Sequence, residues 1–191
     1  MTLGVPKETF PGERRVALVP AHVPAVVKLG FDVLIEAGAG VSSGHLDEEY
    51  VEKGASIVTD ARAEADVLLT VRSAAAAGES APGPKRDGQT VMGFLDPYAP
   101  HRVFAEFKKR NTTSFSMELI PRITRAQAMD ALSSMANLAG YRAALLGAEA
   151  LPRMFPMMMT AAGTIVPSKV FVVGVGVAGL QAIATTKRLG A

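Results

Sequence analysis

The sequence contains no cysteine, which excludes disulfide cross-links and thiolate metal centres outright. Histidine is scarce: only His22, His45 and His101 occur, far apart and without the spacing of a metal site. Neither charge is in excess, since 20 Lys and Arg stand against 18 Asp and Glu for a net charge of +2. The densest basic cluster is Lys108, Lys109 and Arg110, so no nucleic-acid-binding surface is expected. A long hydrophobic run is missing too. The longest uncharged stretch, the seventeen residues between Lys169 and Lys187, carries Gly174, Gly176, Gly179 and Gln181. A membrane-spanning helix needs about 20 apolar residues and rarely tolerates glycines so closely spaced. The opening MTLGVPKETF has neither the basic segment nor the apolar core of a secretory signal, so a cytoplasmic protein without a span of its own is expected. What is present is 49% hydrophobic residues over 191 positions, enough to bury a full core and incompatible with intrinsic disorder.

Short apolar runs alternate with helical stretches, the pattern of an α/β protein. Strands are predicted at Leu3–Val5, Val33–Ile35, Val67–Val71, Thr90–Leu95, Thr113–Met117 and Val170–Val173. Helices are predicted at His22–Leu29, at Asp47–Lys53, and at Arg102–Lys109 after Pro100. The stretch Ala74–Gly88, rich in Ala, Gly and Pro, reads as a loop. From Thr124 to Leu151 there is no proline and helix formers dominate, which predicts one helix of about 25 residues. The expected organisation is an N-terminal Rossmann-like domain with a parallel sheet over 1–150, ending in this long linking helix. A connection over 151–168 follows, and then the first strand–turn–helix of a second Rossmann domain over 169–191.

The last segment, KVFVVGVGVAGLQAIATTKRLGA, carries Gly174-x-Gly176-x-x-Gly179 between a β-branched run and a helix. In a dinucleotide-binding turn each glycine has its own task. Gly174 permits a tight turn, Gly176 lets the backbone approach a pyrophosphate, and Gly179 lets helix and strand pack closely. The helix N-terminus then offers free N–H groups and a positive dipole to the phosphates. An unliganded glycine-rich turn is the alternative. The acidic residue that would hold the adenosine ribose should lie about 20 residues further on, beyond Ala191. A fragment of a longer polypeptide is therefore expected, with its NAD or NADP preference not legible from the motif.

A second signal lies at the start of the long helix. Gln127, Asp130, Ser133, Ser134, Asn137 and Tyr141 are mostly three or four apart and share one helical face. No Lys or Glu occurs between Arg125 and Arg142, so the stripe reads as the wall of a cleft rather than a solvated face. Local explanations stay open. Thr124 and Gln127 fit a capping box, and Asp130 gains from the helix dipole without any ligand. Met154, Met157, Met158 and Met159 read as packing around Pro152 and Pro156, or else as a partner-docking surface.

The runs PRITRAQAMDALSSMANLAGYRA and FPMMMTAAGTIVPSKVFVVGVGVAGLQAIATTKRLGA closely resemble the NAD(H)-binding component of proton-translocating NAD(P) transhydrogenase. The opening VPKETFPGERRVALVP is shared by that family and the related alanine dehydrogenases. The resemblance extends over essentially the whole chain. It implies that NADH is held here and passes hydride directly to NADP on a partner component, while a membrane component couples the transfer to proton movement. It further implies a homodimer, placed at the inner membrane through its partners. By this likeness Arg122, Asp130 and Ser133 hold the nicotinamide carboxamide and ribose, Gln127 faces the second nicotinamide, and Arg125 is a weaker candidate beside them. Gly174, Val175, Gly176, Val177 and Gly179 match the pyrophosphate turn, and no metal is implied. An alanine dehydrogenase would carry a catalytic His after the Thr90–Leu95 strand and a substrate-binding Lys after the Val67–Val71 strand. Here those positions read Asp96 and Arg72, and without an imidazole general acid–base work has no obvious agent. Arg15 stands where the dehydrogenase would bind a substrate carboxylate, and reads here as half of a structural ion pair. A non-catalytic NAD-binding module is the remaining alternative.

Overall fold

The computed structural model describes residues 1–72, 83–99 and 101–191. Most of the predicted Ala74–Gly88 loop, and Pro100, lie outside the described residues. The chain forms two compact units, Met1–Ile120 and Pro121–Ala191.

The first unit is a six-stranded parallel sheet flanked by short helices. Its strands are β1 (Thr2–Val5), β2 (Asp32–Glu36), β3 (Ser56–Val58), β4 (Val67–Arg72), β5 (Thr90–Phe94) and β6 (Thr113–Ser116). The helices are α1 (Val23–Lys28), α2 (Asp47–Glu52), α3 (Ala61–Glu64) and α4 (Val103–Lys109). The spatial order β3-β2-β1-β4-β5-β6 makes a doubly wound α/β fold of Rossmann type, with the order reversing between β1 and β4. Five strands fall where the β-branched runs predict them. The third, SIV, goes beyond the sequence expectation because three residues carry too little pattern.

The strands read as continuous apolar runs because both faces of a parallel sheet are covered. Val33 and Ile35 of β2 join one core cluster with Leu3, Val5, Val23 and Tyr50. Leu34 between them packs instead with Ala65, Leu68, Val91, Leu95 and Phe107. That split is the two-residue period of a strand. Gly4 sets how closely a helix approaches the sheet: a Cβ there would lie 2.5 Å from the Ala65 Cβ and 3.1 Å from the Ala61 carbonyl oxygen. Local signals start and stop the helices. Pro20 opens a 3-10 turn, Pro20–His22, that runs into α1. The Glu49 side chain accepts the Leu46 N–H at 3.0 Å to cap α2. Tyr50, fully buried, donates its hydroxyl to the Leu18 carbonyl at 2.9 Å, and burial pushes its pKa up to about 12.

The loop after β1 is pinned to the end of β4 by carboxylates. Glu8 accepts the Val71 and Arg72 N–H groups at 2.7 and 3.1 Å. Glu13 binds Arg15 at 2.6 Å and Arg72 at 3.2 Å, with only 6% of its own side chain exposed. The Arg15 hydrogen bond, chiefly, holds the Glu13 carboxyl down to about 2 from its ordinary 4.5. A carboxylate whose folded pKa is depressed contributes stability above its unfolded pKa and loses it as pH falls through the folded value. Wild-type stability should therefore drop between about pH 4.5 and 2, on the order of 2 kcal/mol of it from Glu13 after screening around the half-exposed Arg15. Urea midpoints measured across that window should show a smaller acid loss in Glu13→Gln; an identical acid profile would refute the assignment.

The second unit holds α5 (Ala131–Ala150), a two-stranded antiparallel hairpin of β7 (Met158–Thr160) and β8 (Gly163–Ile165), and α6 (Val177–Arg188). Its elements depart from the sequence expectation in three places. The stretch from Thr124 is not one helix of 25 residues: Thr124–Met129 is a 3-10 segment, and the α-helix proper starts only at Ala131. The break is at Asp130, whose backbone leaves the helical region (φ −76°, ψ 82°) and whose side chain caps α5 by accepting the Ser133 N–H. Thr124 and Gln127 therefore form no capping box for the long helix. Finally, Val170–Val173 is not a strand, since no described residue pairs with it in a ladder and Phe171 and Val173 are 90% and 89% exposed. Those β-branched residues have the propensity for a strand but no neighbour to form one with. Met154, Met157, Met158 and Met159 are all exposed rather than packed. Among the described residues no helix is long and apolar enough to cross a membrane.

Candidate functional site

The second unit contains a cleft of about 610 Å³ between two helix starts. One wall is Gln127, Asp130, Ser133, Ser134 and Asn137; the other is Val177, Leu180 and Gln181 of α6. Two glycines make this possible. α5 and α6 approach most closely where Gly140 meets Ala178: a Cβ on Gly140 would lie 2.1 Å from the Ala178 carbonyl oxygen. A Cβ on Gly179 would fall equally close, 2.1 Å, to the Gly174 carbonyl oxygen, so α6 folds back tightly on its own turn.

The turn has the features that a phosphate cradle requires. Gly174 has φ +97°, a conformation that side chains disfavour. Gly176 is the extended N-cap of α6, and nothing lies within 4 Å of where its Cβ would be. The first N–H groups of the twelve-residue α6 have no partner within the helix and point out of its end, carrying the positive pole of the dipole. Open space at Gly176 beside these donors fits a pyrophosphate brought against the backbone. The motif's usual setting differs in one respect: among the described residues, no paired strand leads into the turn.

Across the cleft, Asp130 is held by Ser133 twice. Its carboxylate accepts the Ser133 N–H at 2.9 Å and the Ser133 hydroxyl at 2.6 Å. The Ser133 hydroxyl, its N–H, and the field of Arg122 keep this carboxyl below the usual carboxylate range. Ser134 donates its hydroxyl to the Asp130 carbonyl at 3.1 Å. Asp130 is thus an ionised, fixed acceptor. The walls combine this one charge with amides, hydroxyls and two apolar side chains, and no His or Lys lines the cleft among the described residues. Such a surface orients a polar ligand by hydrogen bonds; it does not shuttle protons.

Of the residues singled out from the sequence, the structure brings Gln127, Asp130, Ser133 and Val177 into one cleft. Gly174, Val175, Gly176 and Gly179 form the turn at its edge, and Arg122 acts on Asp130 through its charge. Arg125, on the 3-10 segment, and Tyr141, 49% exposed on α5, are not among the lining residues. Leu180 and Gln181 line the cleft although the sequence pattern did not single them out. Their signal was available, since they lie three and four residues beyond Val177 on the same helix face.

A second cluster lies in the first unit, at the carboxyl ends of β1, β4 and β5, where doubly wound sheets place their ligands. Arg15 and Arg72 are both engaged by Glu13, and the Arg72 guanidinium stacks 4.0 Å above the Phe10 ring. The ion pair expected for Arg15 is present. Asp96 sits at φ +49°, and its main-chain N–H is accepted by Glu118 at 3.0 Å. The fold also returns a ring that the sequence did not place here: His101 Nε2 lies 3.1 Å from the Asp96 carboxylate. Five residues separate the two, and only the tight turn after β5 brings them together.

Comparison with known proteins agrees with this geometry. The family profile described as "Alanine dehydrogenase/PNT, N-terminal domain" matches residues 4–139, and its C-terminal counterpart matches 143–191. The chain is 48% identical to the first portion of the NAD(P) transhydrogenase subunit alpha of Rhodospirillum rubrum, covering 100% of this chain and 51% of that protein. It is 34% identical to alanine dehydrogenase of Mycobacterium tuberculosis over 100% of the chain and 52% of the relative. The crystal structure of transhydrogenase from Sinorhizobium meliloti superposes with a TM-score of 0.92 at 49% identity, covering 100% of this chain and 55% of that one. The chain spans about half the length of the curated relatives it matches. By its sequence over nearly its full length, and by its doubly wound sheet, the chain belongs to the alanine dehydrogenase/PNT family.

Proposed function

We propose that this chain is the NAD(H)-binding component of a proton-translocating transhydrogenase. In this reading residues 1–150 form the first Rossmann-like domain with its linking helix, 151–168 connect, and 169–191 begin the NAD-binding domain. The observation that carries it is the cleft shared by the Asp130–Ser133 cap and the start of α6 behind its glycine turn. The chemistry NADH supplies when bound is a hydride, two electrons and a proton nucleus together, which leaves NAD+ and reduces NADP+ on a partner component to NADPH. This chain's residues then have only to bind and orient. The Gly174–Gly179 turn and the α6 N–H groups take the pyrophosphate. Arg122, Asp130 and Ser133 hold the carboxamide and ribose of the nicotinamide half, and Gln127 lies at the face open to the second nicotinamide. NADP held by another component, a homodimer, and attachment to the inner membrane through partners belong to the same proposal.

The greater identity to the transhydrogenase subunit, 48% against 34%, favours this over an alanine dehydrogenase. So does Glu13, whose carboxylate already occupies both Arg15 and Arg72, the groups a substrate carboxylate would need. The full-length protein alone, given NADH with pyruvate and ammonia, should show no turnover. Adding the NADP-binding component with an NADP analogue should start hydride exchange. Robust alanine formation without a partner would overturn the reading, and absence of exchange with one would leave only a nucleotide-binding module.

The polypeptide 1–191 by itself should bind NADH without useful affinity. Val170–Val173 has no ladder partner, and twelve residues of α6 cannot furnish an adenosine pocket. Micromolar binding in a fluorescence titration of this polypeptide would show that the cleft and turn suffice.

A further inference from the structure

Gln181 is the one side chain on the α6 wall of the cleft that can both accept and donate hydrogen bonds. Its amide is not free to rotate. The Nε2 group donates to Thr185 Oγ1 at 3.1 Å, and the Thr185 hydroxyl in turn donates to the Gln181 carbonyl at 2.8 Å. Thr185 is 4% exposed, so this arrangement is locked by the interior of the unit. The loop of two bonds spends one amide hydrogen on the hydroxyl and fixes the plane of the amide. The Oε1 atom is left as the acceptor on the cleft side, one helical turn beyond Val177.

An acceptor fixed at that place selects its ligand group. A phosphate oxygen would meet it with like partial charge, whereas a hydroxyl would donate to it. We propose that Gln181, positioned by Thr185, is a specificity-determining residue that accepts a hydrogen bond from a ribose hydroxyl of the nicotinamide half of the dinucleotide. This rests on the NAD(H) reading above and adds a contact from the second wall of the cleft. Thr185 touches no ligand and acts only through the Gln181 amide.

The test uses the full-length protein titrated with NADH, with reduced nicotinamide mononucleotide, and with ADP, alongside thermal midpoints. Gln181→Ala should weaken NADH and the mononucleotide alike, about fivefold for one neutral hydrogen bond, and leave ADP unchanged. Thr185→Val should weaken the same two ligands, and Thr185→Ser should restore them. An equal loss for ADP, or no loss for NADH in Gln181→Ala, would overturn the proposal. So would a loss in Thr185→Val that Thr185→Ser fails to restore. Asp130→Asn separates the two levels. If it impairs the nicotinamide ligands while Gln181→Ala does not, only the Gln181 contact is wrong; if neither substitution alters them, the cleft is not the nicotinamide site at all.

Discussion

Asp130→Asn and Arg122→Ala should each cut the rate of hydride transfer in the assembled enzyme on the order of 100-fold, while changing NADH affinity far less. The expectation follows from what these groups do. Hydride transfer needs the donor carbon aligned with its acceptor, and misplacement by about 1 Å costs roughly that factor. Asparagine is the informative replacement because it caps a helix about as well as aspartate. α5 should keep its start, and the Ser133 N–H should keep an acceptor. What is lost is the charge, and with it the strong acceptor that orders the Ser133 hydroxyl and draws on Arg122. Asp130→Ala removes cap and charge together and should also lower the thermal midpoint. Single-turnover transfer and NADH titration, measured on the same preparations, separate rate from binding. Unchanged transfer in both Asp130→Asn and Arg122→Ala would remove these residues from the site.

Substitutions in the glycine turn should have the other large effect, and two of them should differ in kind. At Gly176 there is open space where a Cβ would go, and the backbone angles (φ −72°, ψ −175°) suit any residue. Gly176→Ala should therefore fold as well as wild type. Its methyl group projects into the cradle at the head of α6, so NADH affinity should fall on the order of 30-fold, about 2 kcal/mol of overcrowding. Gly179 is different. Its Cβ would meet the Gly174 carbonyl oxygen at 2.1 Å, backbone against side chain with nothing flexible to yield. Gly179→Ala should open the turn, lowering both the thermal midpoint and NADH affinity. Calorimetry with nucleotide titration gives the two readouts. Equal melting of the two variants would contradict the division of labour between these glycines.

Much of the fold is legible along the chain alone. The strands of the first unit fall on short β-branched runs, because a sheet covered on both faces demands continuous apolar residues there. The turn at Gly174 is legible because only glycine adopts φ +97° readily, and the start of α6 because a glycine N-cap precedes a helix-forming run. The polar stripe on α5 is visible from its spacing of three and four. These are local properties, set within a few residues by backbone sterics and side-chain direction.

Other features depend on partners distant in sequence. The propensity of Val170–Val173 for a strand counts for nothing without a neighbouring strand, and those residues stand unpaired. The helix from Thr124 is interrupted because the Asp130 side chain competes for the Ser133 N–H, an outcome that helix propensities summed along the chain do not contain. Gln181 becomes part of the cleft only because Gly140 lets α6 press against α5. Glu13 filling Arg15 and Arg72, 59 residues from the latter, requires β1 and β4 to lie side by side. Residue order thus fixes the layers of the fold and the chemistry available to it. Which groups face one another across the cleft follows from packing in three dimensions, since backbone clearance at single glycines and the pairing of remote strands set those distances.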